Sequence, residues 1–196
     1  MDMDLREMTA ANRRALADIF DGLSEQQWSL PSLCEGWSTK HVLAHVTMPF
    51  RMSTAAFALG MLRARGRFHE LADRAARRDA VLPSAELIAA MRAAADRGTK
   101  LPGGYEGALT HDVVHGLDIC RPLGVKPPIA DDALRVVLDT LAHPKRTKYF
   151  GVDVQGLRLR ADDLDWAYGT GDPMTAPAQD LVLLLTGRTG RDQAGR

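Results

Sequence analysis

Two histidine motifs, far apart in the chain, constrain its fold more than any other feature. His111 and His115 stand in the run His111-Asp-Val-Val-His115. Side chains four apart on a helix share one face, one turn along, so both imidazoles can address one point. His45 closes the run Trp37-Ser-Thr-Lys-His-Val-Leu-Ala-His45, and a facing helix would bring it to the same point as a third ligand. Three protein ligands plus an open position make the pattern of a catalytic metal centre rather than a structural one. Imidazole suits zinc first, with nickel or iron as other choices. The same spacing also arises on amphipathic helices that hold no metal. His41, one turn before His45, is a surface or outer group or a fourth ligand. His69 and His143 lie beside charged stretches and read as surface side chains.

The periodicity of the chain supports facing helices. Hydrophobic residues make up 45% of the 196, enough for a real core. Leu5, Met8, Leu16, Ile19, Phe20 and Leu23 recur at helical spacing from Met3 to Leu23, with one gap. Ser24 to Gln27 has capping-box form and opens a short turn ending near Trp28. Ser38 can cap the helix that carries His45. Pro49 either kinks that helix or divides it from a second piece over about 51–64. Residues 66–82 are rich in Arg and Ala with weak periodicity and are expected to form a loop or an irregular helix. A clear helix runs from Ser84 to Asp96, stopped by Gly98. A loop at 101–104 precedes the helix of His111 and His115, from Tyr105 to about Cys120. A fifth helix, capped by Asp131 or Asp132, reaches Leu141.

After Pro144 the period changes. Leu157 to Ala161 alternates as a half-buried strand does, Leu164 to Tyr168 alternates less cleanly, and Gly169 to Gly171 is a turn. Pro177 sits at the first turn of a last helix, Ala178 to Thr186, closed by Gly187. The expected architecture is mainly α: a helical bundle over residues 1–143, then a small α+β region over 144–196 built as a β-hairpin plus a helix.

Charge and cysteine usage exclude several classes. Lys and Arg number 25, Asp and Glu 25, without the basic excess of a dedicated nucleic-acid binder. Cys34 and Cys120 form no Cys-x-x-Cys motif, which points to a reduced, cytoplasmic protein. The acidic opening lacks the form of a signal peptide, and no apolar run is long enough to span a membrane. No nucleic-acid or membrane partner is expected.

The motifs resemble a known family. Pro31-Ser-Leu-Cys34-Glu-Gly36 followed by Trp37 to His45 is similar to the opening motif of the mycothiol-dependent maleylpyruvate isomerase family. That family lies within the DinB/YfiT-like superfamily of metal-binding four-helix bundles. Val114-His115-Gly-Leu-Asp118, with Arg121-Pro-Leu-Gly124, looks like its second motif. Pro177-Ala-Gln-Asp180 through Leu185-Thr-Gly187-Arg188 is similar to its C-terminal close. The resemblance covers roughly residues 5–190. It implies a DinB-like four-helix bundle, His45, His111 and His115 as metal ligands, and mycothiol as cofactor. The isomerases proper usually carry a glutamate four residues before the last histidine, where this chain has His111. Three histidines are the commoner pattern in the wider superfamily, so the resemblance implies the metal cup and names no substrate.

Such a metal lowers the pKa of a bound water or thiol and polarises a carbonyl. The family relation then implies a thiol S-transferase or isomerase, in which a metal-held thiolate attacks a small electrophile. Its partners are that electrophile and a low-molecular-weight thiol, and the chain is a monomer or homodimer. Asp118, three residues after His115, can orient a ligand histidine through its other ring nitrogen; a helix-surface aspartate is the alternative. Asp112 points about 100° away from His111 on a helix and reads as a solvated carboxylate. Arg188 either binds a substrate carboxylate or complements a helix end. Trp37 is a plug at its helix start. Two other readings stand beside this one. His111-Asp112-Val-Val-His115 is one methylene short of the His-Glu-x-x-His of zinc hydrolases, and the chain can equally be a non-catalytic metal or small-molecule binding module.

Overall fold

The computed structural model describes residues 4–97 and 103–190. Met3, Gly98 and the start of the 101–104 loop, all used above, lie outside the described residues. The chain divides into two compact units, Asp4–Pro128 and a second that begins at Ile129.

The first unit is a DinB-like four-helix bundle with additions. Its helices are α1 (Leu5–Asp21), α2 (Glu25–Trp28), α3 (Thr39–Arg51), α4 (Thr54–Arg63), α5 (Phe68–Asp79), α6 (Ser84–Ala95) and α7 (Gly104–Cys120), closed by a 3-10 turn at Arg121–Leu123. Helices α1, α3, α6 and α7 form the bundle: α1 and α3 each pack against both α6 and α7, and α5 lies against α3. Leu16, Phe20, Leu43, Leu87, Met91 and Ile119 meet in its core with Trp28 of α2. Gly116 sets one close approach, because a Cβ there would meet Leu16 Cδ2 at 2.8 Å. A glycine beside His115 thus lets α7 lie directly on α1.

Helix ends follow their caps. Ser24 and Gln27 form a capping box, as do Ser38 and His41. The α3 helix runs through Pro49 to Arg51, and the break before α4 falls at Met52 and Ser53. Proline lacks the N–H that would bond the His45 carbonyl, so the ladder loses one rung without the helix ending there.

Residues 68–79, expected as loop or irregular helix, form the regular helix α5. Its buried face is Leu71, Ala72, Ala75, Ala76 and Asp79. The spacing is helical, but alanine carries little apolar signal and one position is an aspartate. Asp79 is held there by Arg51 Nη2 at 2.6 Å.

The second unit comprises α8 (Asp131–Ala142), α9 (Pro144–Tyr149), a sheet, and α10 (Ala178–Leu185). Strands β1 (Leu157–Ala161), β2 (Ala167–Tyr168) and β3 (Asp172–Ala176) lie in the order β2-β1-β3. The expected hairpin forms, with Leu159 opposite Tyr168 and Arg160 opposite Ala167, although β2 is short. The third strand was not anticipated. It pairs parallel to β1, Leu157 with Asp172 through Ala161 with Ala176. Pro173 is tolerated because β3 is an edge strand. Gly171, at φ 129°, makes the entry possible: a Cβ would lie 2.1 Å from the Gly156 carbonyl oxygen. Helix α9 was also unforeseen; Pro144 starts it, and His143 Nδ1 accepts from Lys145 N at 3.3 Å. Ala130, not Asp131 or Asp132, occupies the N-cap of α8. The buried helix α10 packs on α8 and β1. Among the described residues no helix is long and apolar enough to cross a membrane.

Candidate metal centre

Helix α3 carries His45 and α7 carries His111 and His115, and the bundle brings the three rings together. Ring centroids lie 5.2 Å apart for His45 and His111, 4.9 Å for His45 and His115, and 4.6 Å for His111 and His115. One nitrogen from each falls within 4.8 Å of the others. The Nε2 atoms of His45 and His111 are 3.3 Å apart. A tetrahedral ion about 2.0–2.1 Å from two imidazole nitrogens holds them about 3.3–3.4 Å apart, so this pair already has the spacing of shared ligands.

The backs of two rings are occupied. His115 Nδ1 lies 2.8 Å from Asp118 Oδ2, and His111 Nδ1 lies 3.2 Å from Asp112 Oδ1. Carboxylates accept, so each Nδ1 carries the proton and each Nε2 is left bare. His45 is the buried member, 8% exposed. Burial first, then the charges of His115 and His111, hold its pKa down to about 2, so it is a neutral imidazole with a lone pair. Its Nδ1 is buried without a hydrogen-bond partner among the described residues. With Nδ1 protonated, its Nε2 lone pair faces that of His111, a repulsion that a cation relieves. The donor set therefore fits a divalent metal: neutral imidazoles, bare nitrogens and chelating spacing.

The surroundings fix the cup. Trp37 packs on His45 with centroids 5.2 Å apart, and its Nε1 donates to Asp73 Oδ1 at 2.8 Å. Asp73 belongs to α5 and takes a second bond from Arg77 at 2.9 Å. Hydrogen bonds from Arg77 and Trp37 keep its carboxyl below the usual range. Asp118 is fully buried and accepts from Cys34 Sγ at 3.1 Å, while Leu33 N donates to the Asp118 carbonyl at 3.1 Å. The loop before α3 is thereby tied to α7 behind His115.

Asp112 corrects the sequence expectation. It is not solvated but fully buried, with Arg13 Nε donating to Oδ2 at 2.6 Å and Oδ1 facing His111. His41 is no ligand: its ring accepts from Ser38 N at 3.2 Å and closes the cap of α3. His69 is exposed on α5, near enough to lower the His45 pKa slightly. Arg188 lies in the second unit, and its Nη1 donates to the Thr186 carbonyl at 3.0 Å, just past α10.

Residues 9–102 match the mycothiol maleylpyruvate isomerase N-terminal domain family. Two solved structures share the fold. A mycothiol-dependent maleylpyruvate isomerase is 18% identical with a TM-score of 0.58, over 99% of this chain and 92% of that one. A histidine-to-alanine mutant of the mycothiol-dependent maleylpyruvate isomerase is 17% identical with the same score and coverage. No curated protein matches the sequence.

Sequence reasoning missed Arg13, the packing role of Asp112, and Cys34 as a partner of Asp118. Arg13 had one signal. The apolar stripe of α1 has a gap between Met8 and Leu16, and the buried face continues through it as Thr9, Asn12 and Arg13. A charged residue at a core position of a helix calls for a buried partner. Nothing local to Asp112 or Cys34 carried such a signal.

Proposed function

We propose that this chain is a metal-dependent, thiol-cofactor isomerase or S-transferase acting on a small electrophile, with the metal held by His45, His111 and His115. Zinc is the first choice of ion, and a mycothiol-type thiol the cofactor. The observation that carries the reading is the convergence of the three imidazoles, with the Nδ1 atoms of His111 and His115 taken by buried carboxylates. The thiol and the isomerisation come from the family relation.

A divalent ion at this position supplies a thiolate at neutral pH and a polarising charge. The protein's own side chains prepare for it. His45 stays unprotonated, so protons compete weakly for that ligand. Asp118 and Asp112 hold the His115 and His111 rings with Nε2 inward, as partners behind metal ligands commonly do. None of the three proposed ligands is a carboxylate, so the charge available to stabilise an anion is not reduced by the ligand set itself. Trp37 covers one side of His45. Arg188 is proposed to take an anionic group of the substrate, and the protein to act in the cytoplasm as a monomer or homodimer.

The hydrolase reading needs Asp112 as a base on the open side of the metal. Asp112 instead lies behind His111 and is bonded to Arg13. Metal content measured together with thiol-dependent turnover tests the proposal. One divalent ion per chain and turnover of an activated alkene only with the thiol are expected. Thiol-independent hydrolysis of an activated ester would transfer the assignment to a hydrolase. Tight metal binding without turnover by any thiol would favour a binding module.

A further inference from the structure

The arginine buried inside the bundle is not explained by packing. Arg13 is 1% exposed, and its guanidinium is reached from all the bundle helices. It projects from α1, Nε donates to Asp112 of α7 at 2.6 Å, Nη1 donates to the Ala94 carbonyl of α6 at 3.0 Å, and Cζ stands 4.7 Å over the ring of Phe50 in α3. Its Nη2 is buried with no hydrogen-bond partner among the described residues. A buried ion pair that leaves a donor unmet is a poor way to fill a core, where apolar side chains of similar volume often stabilise more. What the pair does accomplish is directional. One oxygen of Asp112 is clamped by Arg13, and the other, Oδ1, is left facing His111 Nδ1 at 3.2 Å.

We propose that Arg13 is a positioning residue for the cup, acting through Asp112 to hold the His111 ring in the tautomer and orientation that present Nε2 to His45 and His115. This rests on reading the cup as a metal site. The arrangement is a chain of three side chains, Arg13 to Asp112 to His111. The planar guanidinium, itself held by the Ala94 carbonyl, fixes Oδ2 through Nε in a way a rotating point charge does not, the carboxylate fixes the proton on Nδ1, and the bare Nε2 faces the open site. Residues behind a ligand typically change metal affinity by about 10–100-fold when removed.

The test uses the full chain as Arg13→Met, Arg13→Lys, Asp112→Asn and the double variant Arg13→Met/Asp112→Asn. Zinc and cobalt affinities are read by competition with a chromophoric chelator, and the His111 tautomer by ring 15N shifts in the metal-free protein. Arg13→Met and Asp112→Asn should each weaken affinity by about 10–100-fold. The double variant should be no weaker than the worse single one, because both changes break the same chain. Arg13→Lys should recover part of the loss. The His111 shifts should move from a single Nδ1–H tautomer toward a mixture. Wild-type affinity in a folded Arg13→Met protein with only a lowered Tm would overturn the proposal, as would fully additive losses in the double variant. Should Arg13→Met not fold, the lysine and asparagine variants decide: unchanged 15N shifts in both overturn the proposal. Should the wild-type chain bind no metal, the metal reading fails, while the tautomer measurement still tests Arg13.

Discussion

His111 and His115 sit one turn apart on one helix, each with its Nδ1 against a fully buried carboxylate, yet the two carboxylates are held by unlike means. Behind His111, Asp112 is the next residue in the chain and is held by the charged Nε–H of Arg13 from α1. Behind His115, Asp118 lies three residues on and accepts from the thiol of Cys34, which belongs to the loop before α3. A guanidinium is a strong, charged donor and a thiol a weak, neutral one. The difference teaches that one geometric task, turning Nε2 inward, can be served by a carboxylate held in an ion pair or by one that accepts from a neutral thiol. The His115 contact is the shorter, 2.8 Å against 3.2 Å.

Breaking the cup itself should have the largest effect. His45→Ala or His115→Ala should lower metal affinity by more than the ~100-fold that an outer partner costs, and abolish turnover. Isothermal titration with zinc checks this, and near-native affinity in either variant would remove that residue from the ligand set.

The two arms come next. Asp118→Asn should keep the fold and weaken metal binding or turnover by about 10–100-fold. Comparing it with Asp112→Asn in one chelator assay sharpens the contrast. The shorter contact at His115 predicts that Asp118→Asn is at least as costly, and the reverse order would show that the arginine-clamped arm dominates.

Acid stability of the metal-free protein should depend on His45. Its folded-state pKa is about 2, below the ordinary value of 6.5, with burial as the main cause. Between those values the unfolded chain binds a proton that the folded chain refuses. Stability from this residue is therefore whole above 6.5 and declines as pH falls below it, by up to ~1.4 kcal/mol per pH unit. Denaturant titrations from pH 7 to pH 5 should show that slope, and His45→Gln should flatten it.

Cys34→Ser should be milder, less than ~10-fold in metal affinity, because a hydroxyl can also donate to Asp118. An effect as large as that of Asp118→Asn would place the thiol among the groups that matter directly. Arg188→Ala should leave metal affinity unchanged and act, where an anionic substrate is bound, mainly by raising KM. Loss of metal in that variant would contradict its proposed role.

Much of the fold was legible because its signals are local. Helical spacing of Leu and Phe exposed α1, serine caps marked the start of α3, and alternation exposed β1. Where signals were weak, the reading failed for identifiable reasons. Alanines and Asp79 line the buried face of α5, so its amphipathicity did not register as hydrophobic contrast. The edge strand β3 begins Asp-Pro, a pair that marks turns more often than strands, and its pairing is parallel to a strand well before it in the chain.

The sequence alone determined that His111 and His115 share a helix face, because one turn separates residues four apart whatever surrounds the helix. It also determined that His45 follows a capped helix start, and the family motif marked all three as candidates. Only the tertiary structure decided what lies behind each ring. Arg13 reaches Asp112 across 99 residues and Cys34 reaches Asp118 across 84, and such contacts depend on which helices pack together. Burial then decides their chemistry. An aspartate with the local pattern of a surface residue becomes a fixed acceptor once water is excluded and a buried guanidinium is the charge it meets.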